Sequence, residues 1–215
     1  MSELSFFITG AHAERYAAAP QLVLRVRVAE TSGVAVYAMT LRAQIRIEPQ
    51  LRRYGAEESA NLVELFGGPE RYGDTLKSIL WTHVSQTVVA FEGDAEFDLT
   101  VPCSYDFEVG ANKYLTALRD GEIPLIVMFS GTVFVRGKEA GVQAELVPWS
   151  CEARFRLPVA VWRETMDAYF PNSAWLRVDR DTFDELYRVK IAGGFPTWEA
   201  MFARMCASFD KLGMT

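Results

Sequence analysis

Leu22-Val23-Leu24-Arg25-Val26-Arg27-Val28 is the stretch that decides the fold class. Leu22, Leu24, Val26 and Val28 fall on one side of an extended chain, and Arg25 and Arg27 fall on the other. A period of two marks a strand buried on one face and wet on the other. Residues 37–47 repeat the pattern: Met39, Leu41, Ala43, Ile45 and Ile47 alternate with Thr40, Arg42, Gln44 and Arg46. Pro49 stops it by withdrawing a ladder donor. Between the two runs, Glu30-Thr31-Ser32-Gly33 is turn chemistry. Two such strands joined by a turn predict an antiparallel sheet with one solvated face.

Working outward, residues 5–9 form a short apolar start before the first long strand. Beyond Gly55 the period lengthens. Ala60, Val63, Leu65 and Phe66 suggest a helix over 56–66, stopped by Gly67-Gly68-Pro69. Asp74 is placed to cap a short helix over 75–81. Strands are predicted at 83–91, 95–101 and 104–109, helical turns at 111–119, and a long apolar strand at 124–135. Arg136-Gly137-Lys138-Glu139 reads as a turn, followed by strands at 142–147 and 151–157. After Leu157 the strands stop. Pro158 suits the first helical position, Asp179 and Thr197 suit N-caps, and three helices are predicted, broken by Pro171-Asn172 and Gly193-Gly194. The predicted class is α+β: an antiparallel β-sandwich-like core with inserted short helices and a C-terminal α-helical segment. The domain reading is 1–157 as the β-rich part and 158–215 as a helical segment packed on the sheet.

Composition narrows the function classes. The 215 residues are 50% hydrophobic and 23% charged, which suits a globular chain and neither a disordered tail nor a membrane bundle. A net charge of −6 argues against a general nucleic-acid binder, which needs a basic face to displace counterions. Three cysteines imply no disulfide framework. The first residues carry no basic stretch followed by an apolar run, and no run is long enough to span a bilayer. The expected location is the cytoplasm, with the thiols reduced.

The chemistry-bearing residues are scattered. His12 and His83 are the two histidines, and neither has a second histidine or cysteine at zinc spacing. No metal site or cofactor is expected. Cys103 with His83 and Asp106 would make a thiol–imidazole–carboxylate set, against the plainer reading of a buried thiol at a strand. Gly131 marks a bulge or a close backbone approach rather than a nucleophile turn around Ser130. Paired acids, such as Glu57-Glu58 and Asp179/Asp181, look like solvated faces or helix starts. No catalytic residue is assigned. The aromatics say more: Trp81, Trp149, Trp162, Trp175 and Trp198 stand near predicted element ends. They glue the helical segment to the sheet or line a partner groove. Arg52, Arg53 and Arg71 with Tyr54 and Tyr72 form an Arg/Tyr cluster that suits an acidic partner or a plain surface. The candidate partner-binding residues are Trp149, Trp162, Trp175, Trp198, Arg52, Arg53 and Tyr54.

Three stretches carry a family resemblance: LVELFGGPERYGDTLKSILWT (62–82), VPCSYDFEVGANKYLTALRDGEIPLIVMFSGTVF (101–134) and RLPVAVWRETMDAYFPNSAWLRVDRDTFDEL (156–186). With the strand ending at Pro49, they resemble the bacterial domain-of-unknown-function family 6084. The resemblance brings no activity and no catalytic residues. It implies a gene neighbourhood beside nickel–iron uptake hydrogenases, and hence an accessory role with a hydrogenase subunit or maturation factor as partner. The expectation is a non-enzymatic cytoplasmic accessory or assembly protein, with self-association left open. The alternatives are a hydrolase built on scattered carboxylates, Cys103 and His83, and a small-ligand carrier with a cavity between sheet and helices.

Overall fold

Two antiparallel sheets face one another in the computed structural model, which describes residues 2–104, 109–137, 141–171, 173 and 177–211. The chain divides into two compact units, Met1–Ala174 and Trp175–Thr215. In the first unit, one sheet holds β1 (Leu4–Ala13), β2 (Gln21–Glu30) and β5 (Asp94–Pro102) in the order β1-β2-β5. The other holds β3 (Val36–Ile47), β4 (Ile79–Phe91), β6 (Glu122–Arg136), β7 (Val142–Leu146) and β8 (Glu152–Pro158). Its order is β4-β3-β6-β7. β8 shares the far side of β6 with β7, pairing with its first half while β7 takes the second.

The alternation read from the sequence sets this packing. Leu22, Leu24, Val26 and Val28 are all buried, and so are Met39, Leu41, Ala43, Ile45 and Ile47. They meet Ile123, Leu125, Val127 and Phe129 of β6 in one core. Phe6 of β1 stacks on Phe129 with ring centroids 4.2 Å apart, joining the two sheets through their inner faces. β1 lies beside β8 and β5 beside β4 at the sheet edges. Apolar alternation on facing strands is what a sandwich core requires. Within β6, Gly131 has φ +141°, and a Cβ there would lie 1.9 Å from the Thr40 carbonyl oxygen. The glycine therefore marks a close approach between β3 and β6.

The helices follow with some corrections. α1 (Ala56–Asn61) and α2 (Val63–Phe66) occupy the helix predicted over 56–66, which breaks at Leu62. The helix expected over 75–81 is absent. α3 (Tyr72–Thr75) precedes it, with Asp74 inside rather than at its cap, and Ile79 already pairs with Ile47 in β4. Hydrogen bonds from Arg46 Nε to Ser78 Oγ (2.8 Å) and from Ser78 Oγ to Glu48 Oε1 (2.5 Å) hold the chain extended there. Long-range pairing outweighs local helix propensity at such a site. α4 (Gly110–Ala117) matches the predicted helical turns. Most of the strand expected at 104–109 and half of the turn at 136–139 lie outside the described residues.

α5 (Val159–Tyr169) belongs to the first compact unit. Trp162, Thr165 and Met166 are buried, Arg163 Nη2 donates to Leu118 O (2.7 Å), and the Tyr169 hydroxyl donates to Ala17 O (2.7 Å). The change from strands to helices at Leu157 thus precedes the division between compact units. The second unit contains α6 (Arg180–Ala192) and α7 (Trp198–Lys211). Thr197 caps α7 by accepting the Ala200 N–H at 3.1 Å. Among the described residues no helix is long and apolar enough to cross a membrane.

Glu30, at the end of β2, is buried with its carboxylate ringed by donors. The N–H groups of Glu3, Ser32 and Val34 each donate at 3.0 Å, and the Ser32 hydroxyl donates as well. Burial raises its pKa, but the Ser32 hydroxyl and the three N–H groups outweigh this and hold it below the ordinary carboxylate range. A pKa depressed on folding contributes stability above the unfolded value and loses it as pH falls through the folded value. Replacing Glu30 by Gln should cost about 2 kcal/mol near neutral pH, the scale of hydrogen bonds to a charged group. That deficit should shrink as pH is lowered through the carboxylate range. Denaturant titrations of both proteins at several pH values would measure it.

Candidate functional site

Arg52 and Tyr54 come together at one end of the second sheet, around a buried ion pair. The turn at Pro49–Leu51 delivers Arg52 inward, and α1 delivers Glu58 opposite it. Arg52 Nη2 lies 2.6 Å from Glu58 Oε1, with both side chains less than 10% exposed. Arg52 also donates to the carbonyls of Glu122 and Asp120, each at 2.8 Å, and Glu58 Oε1 accepts the Arg119 N–H at 2.8 Å. The pair thereby ties α1 to the loop between α4 and β6. The guanidinium also lies over the Tyr54 ring, 5.8 Å from its centroid.

Three tyrosines complete this end of the core. The Tyr54 hydroxyl donates to Pro49 O at 2.7 Å and lies 2.9 Å from the Tyr114 hydroxyl. Tyr54 meets Tyr72 and Tyr114 edge to face. Burial, reinforced by Tyr114, pushes the Tyr54 hydroxyl far above the ordinary phenol range, and burial pushes Tyr114 up to about 12. Neither hydroxyl is poised to lose a proton near neutral pH. Arg53 and Arg71 are exposed, so the structure separates them from the inward-turned Arg52. The arrangement anchors helices to the sheet and turns the Arg52 charge toward the protein.

The tryptophans part company in the same way. Trp162 is buried on α5. Trp81 is half-buried against the core. Trp149, between β7 and β8, is 94% exposed. Trp175 lies outside the described residues. Trp198 is central to an aromatic cluster of the second unit. Its ring is 5.4 Å from Phe183, 6.3 Å from Tyr187 and 5.9 Å from Phe202, with the Lys190 ammonium 5.8 Å away. Phe183 and Tyr187, one helical turn apart on α6, stack at 6.3 Å. Phe183, Tyr187, Ile191, Phe202 and Phe209 all remain exposed, and Met201 is the one buried side chain among the described residues of this unit.

The residues considered for catalysis do not converge. Cys103, at the end of β5, is buried. Burial pushes its thiol up to about 12, and the thiol donates to Val101 O. His83 is exposed on β4 of the other sheet, and no hydrogen bond joins the two. Asp106 lies outside the described residues. Glu57 and Glu58 are engaged separately, by Arg119 at 2.7 Å and by Arg52. Among the described residues no three His, Cys, Asp or Glu side chains group closely enough to hold a metal ion. The outer face of the second sheet carries a shallow depression of about 320 Å³ lined by Thr40, Arg42, Ser85, Thr87 and Gly131. Its hydroxyls follow from register, since Thr40 stands opposite Thr87 and Arg42 opposite Ser85 across β3 and β4.

The sequence reading named Tyr54 and Trp198 as candidates, took Glu57-Glu58 for a solvated pair, and did not single out Phe183 and Tyr187 as candidates. An i, i+6 Arg–Glu spacing carries no local signal. The α6 aromatics were legible as an i, i+4 pair, a pattern equally typical of a core-facing helix.

A family model described as a family of unknown function, DUF6084, matches residues 1–212. No curated protein matches the sequence. Among solved structures, the chain is similar to a CARDB domain from Pyrococcus furiosus in complex with di-metal ions. The identity is 10% and the TM-score 0.28, over 73% of this chain and 92% of that one. It is also similar to a β-glucosidase from Kluyveromyces marxianus (7%, TM-score 0.26, 72% of this chain and 15% of that one). A third is β-glucosidase 3B from Thermotoga neapolitana in complex with α-D-glucose (11%, TM-score 0.24, 72% and 17%). Likenesses this faint do not extend to function.

Proposed function

The chain belongs to DUF6084, a family of unknown function, and on that premise we propose that it is a non-enzymatic binding protein that assists a larger protein assembly. The observation that carries this reading is the exposed aromatic surface of the second unit. A unit of roughly 40 residues has little capacity to bury its own apolar surface. Here Phe183, Tyr187 and Phe202, which surround Trp198, are left exposed to solvent. Aromatic side chains grouped in this way are the usual energetic centres of protein interfaces. The partner proposed is a subunit or maturation factor of a nickel–iron hydrogenase, in line with the gene neighbourhood that the family resemblance implies.

The test is co-purification with tagged protein from a host that expresses its hydrogenase. A hydrogenase component should be retained. Replacing Phe183 and Tyr187 by Ala should weaken retention by at least tenfold, since truncating a central aromatic costs an interface about 2 kcal/mol. Unchanged melting of the variant would show that the loss lies in binding. Intact hydrogenase maturation in a strain lacking the protein, with no component retained by the wild type, would overturn the proposal.

A further inference from the structure

β7 forms an edge of the second sheet, and among the described residues it pairs with no strand but β6. The direction of its backbone groups follows from two hydrogen bonds. Val147 N–H donates to Gly131 O, and Gly141 O accepts from Gly137 N–H. Odd-numbered residues of this strand therefore face β6. Alternation turns the N–H and C=O groups of Val142, Ala144 and Leu146 to the opposite side. The same three side chains share the outer face, where Val142 is 65% and Leu146 80% exposed. Edge strands are ordinarily blunted by Lys, Pro or a bulge. Val142-Gln143-Ala144-Glu145-Leu146 contains neither residue and pairs with β6 without a register shift; its one inward charge, Glu145, accepts hydrogen bonds from the Ser2 N–H (2.7 Å) and the Ser2 hydroxyl (3.0 Å) and leaves the backbone edge open.

We propose that this edge pairs with the same edge of a second copy of the chain, antiparallel, across a two-fold axis at Ala144. The sequence is self-complementary in that register. Ala144 meets Ala144, Val142 meets Leu146, and Gln143 meets Glu145. Every outward N–H then faces an outward C=O of the partner, as an antiparallel ladder requires. The Val142–Leu146 pairs lie on the outer face, and a carboxamide stands opposite a carboxylate on the other. The small central alanines let the backbones close. Neighbouring registers fit less well. A two-fold at Glu145 sets two carboxylates opposite each other, which is unfavourable. A two-fold at Gln143 leaves Glu145 opposite Gly141 and takes the amide away from it.

Sedimentation of the full chain over a concentration series tests this, with the Ala144→Pro and Leu146→Lys variants. The wild type should reach twice the monomer mass as concentration rises, and both variants should stay monomeric with unchanged circular dichroism. Pro at residue 144 removes an N–H that points away from β6, so the intrachain ladder is kept. Should that variant misfold, Leu146→Lys carries the test. Register is read separately in a Cys206→Ser background. There, Ala144→Cys should cross-link to a covalent dimer under mild oxidation, while Gln143→Cys should not, because only the residue on the axis meets itself. A wild type that remains monomeric throughout, or variants that dimerise as it does, would overturn the proposal.

Discussion

Replacing Gly131 by Ala should destabilise the first unit by more than about 3 kcal/mol, near the upper end of single-residue effects. Two causes add. A φ of +141° is strained for any L side chain, and the new Cβ would stand 1.9 Å from the Thr40 carbonyl oxygen. That oxygen belongs to backbone, so no rotamer change relieves the contact. Thr40 is also fixed from both sides, by Thr87 of β4 and Thr132 of β6. β3 and β6 would have to separate at the middle of the sheet. Gly33 is the control. It has φ +79° with nothing within 4 Å of a built Cβ, so Gly33→Ala carries the backbone strain alone, about 1 kcal/mol. Denaturant unfolding of both variants separates the two causes. Equal losses would show that the approach of β3 and β6 relaxes freely.

Arg52→Ala should cost about 3–5 kcal/mol, because it leaves the Glu58 carboxylate buried without its cation. Glu58→Ala should cost a similar amount for the converse reason, and it also removes the acceptor of the Arg119 N–H. The double replacement by apolar residues of like volume, Arg52→Met with Glu58→Leu, should be far milder than the sum. Desolvating two charges already offsets most of their attraction. A double-mutant cycle in urea measures the coupling. Strict additivity of the single losses would mean that the pair, 2.6 Å apart in the structure, does not interact energetically. These effects concern the end of the sandwich where Tyr54, Tyr72 and Tyr114 pack, and so the attachment of α1 and α4 to the sheet.

Most strands were legible because their burial is one-sided. Alternation over 22–28 and 37–47 assigned the inward face residue by residue. β4 was harder. Its first residues, Ile79 to Trp81, lack a clean alternation, and the register with β3 shifts at Ile45 and Arg46. Local propensity therefore suggested a helix that pairing with Ile47 overrides. The candidate site was legible only in part. Trp162 and Trp149 are chemically alike in the sequence, yet one is buried on α5 and the other stands free between β7 and β8. Arg52 and Arg53 are neighbours in the chain, yet only Arg52 finds Glu58. Partners distant in sequence decide such differences, and no local pattern records them.

By itself the sequence determined the class of fold and the inner face of the long strands. Both follow from solvation and alternation rules acting over a few residues, whereas the need for glycine at residue 131 comes from the Thr40 carbonyl of a distant strand. The tertiary structure alone decided which charge is buried, which aromatics remain exposed and which strand edge stays open. Those depend on which strands meet across the sandwich, and burial is a property of the whole packed chain.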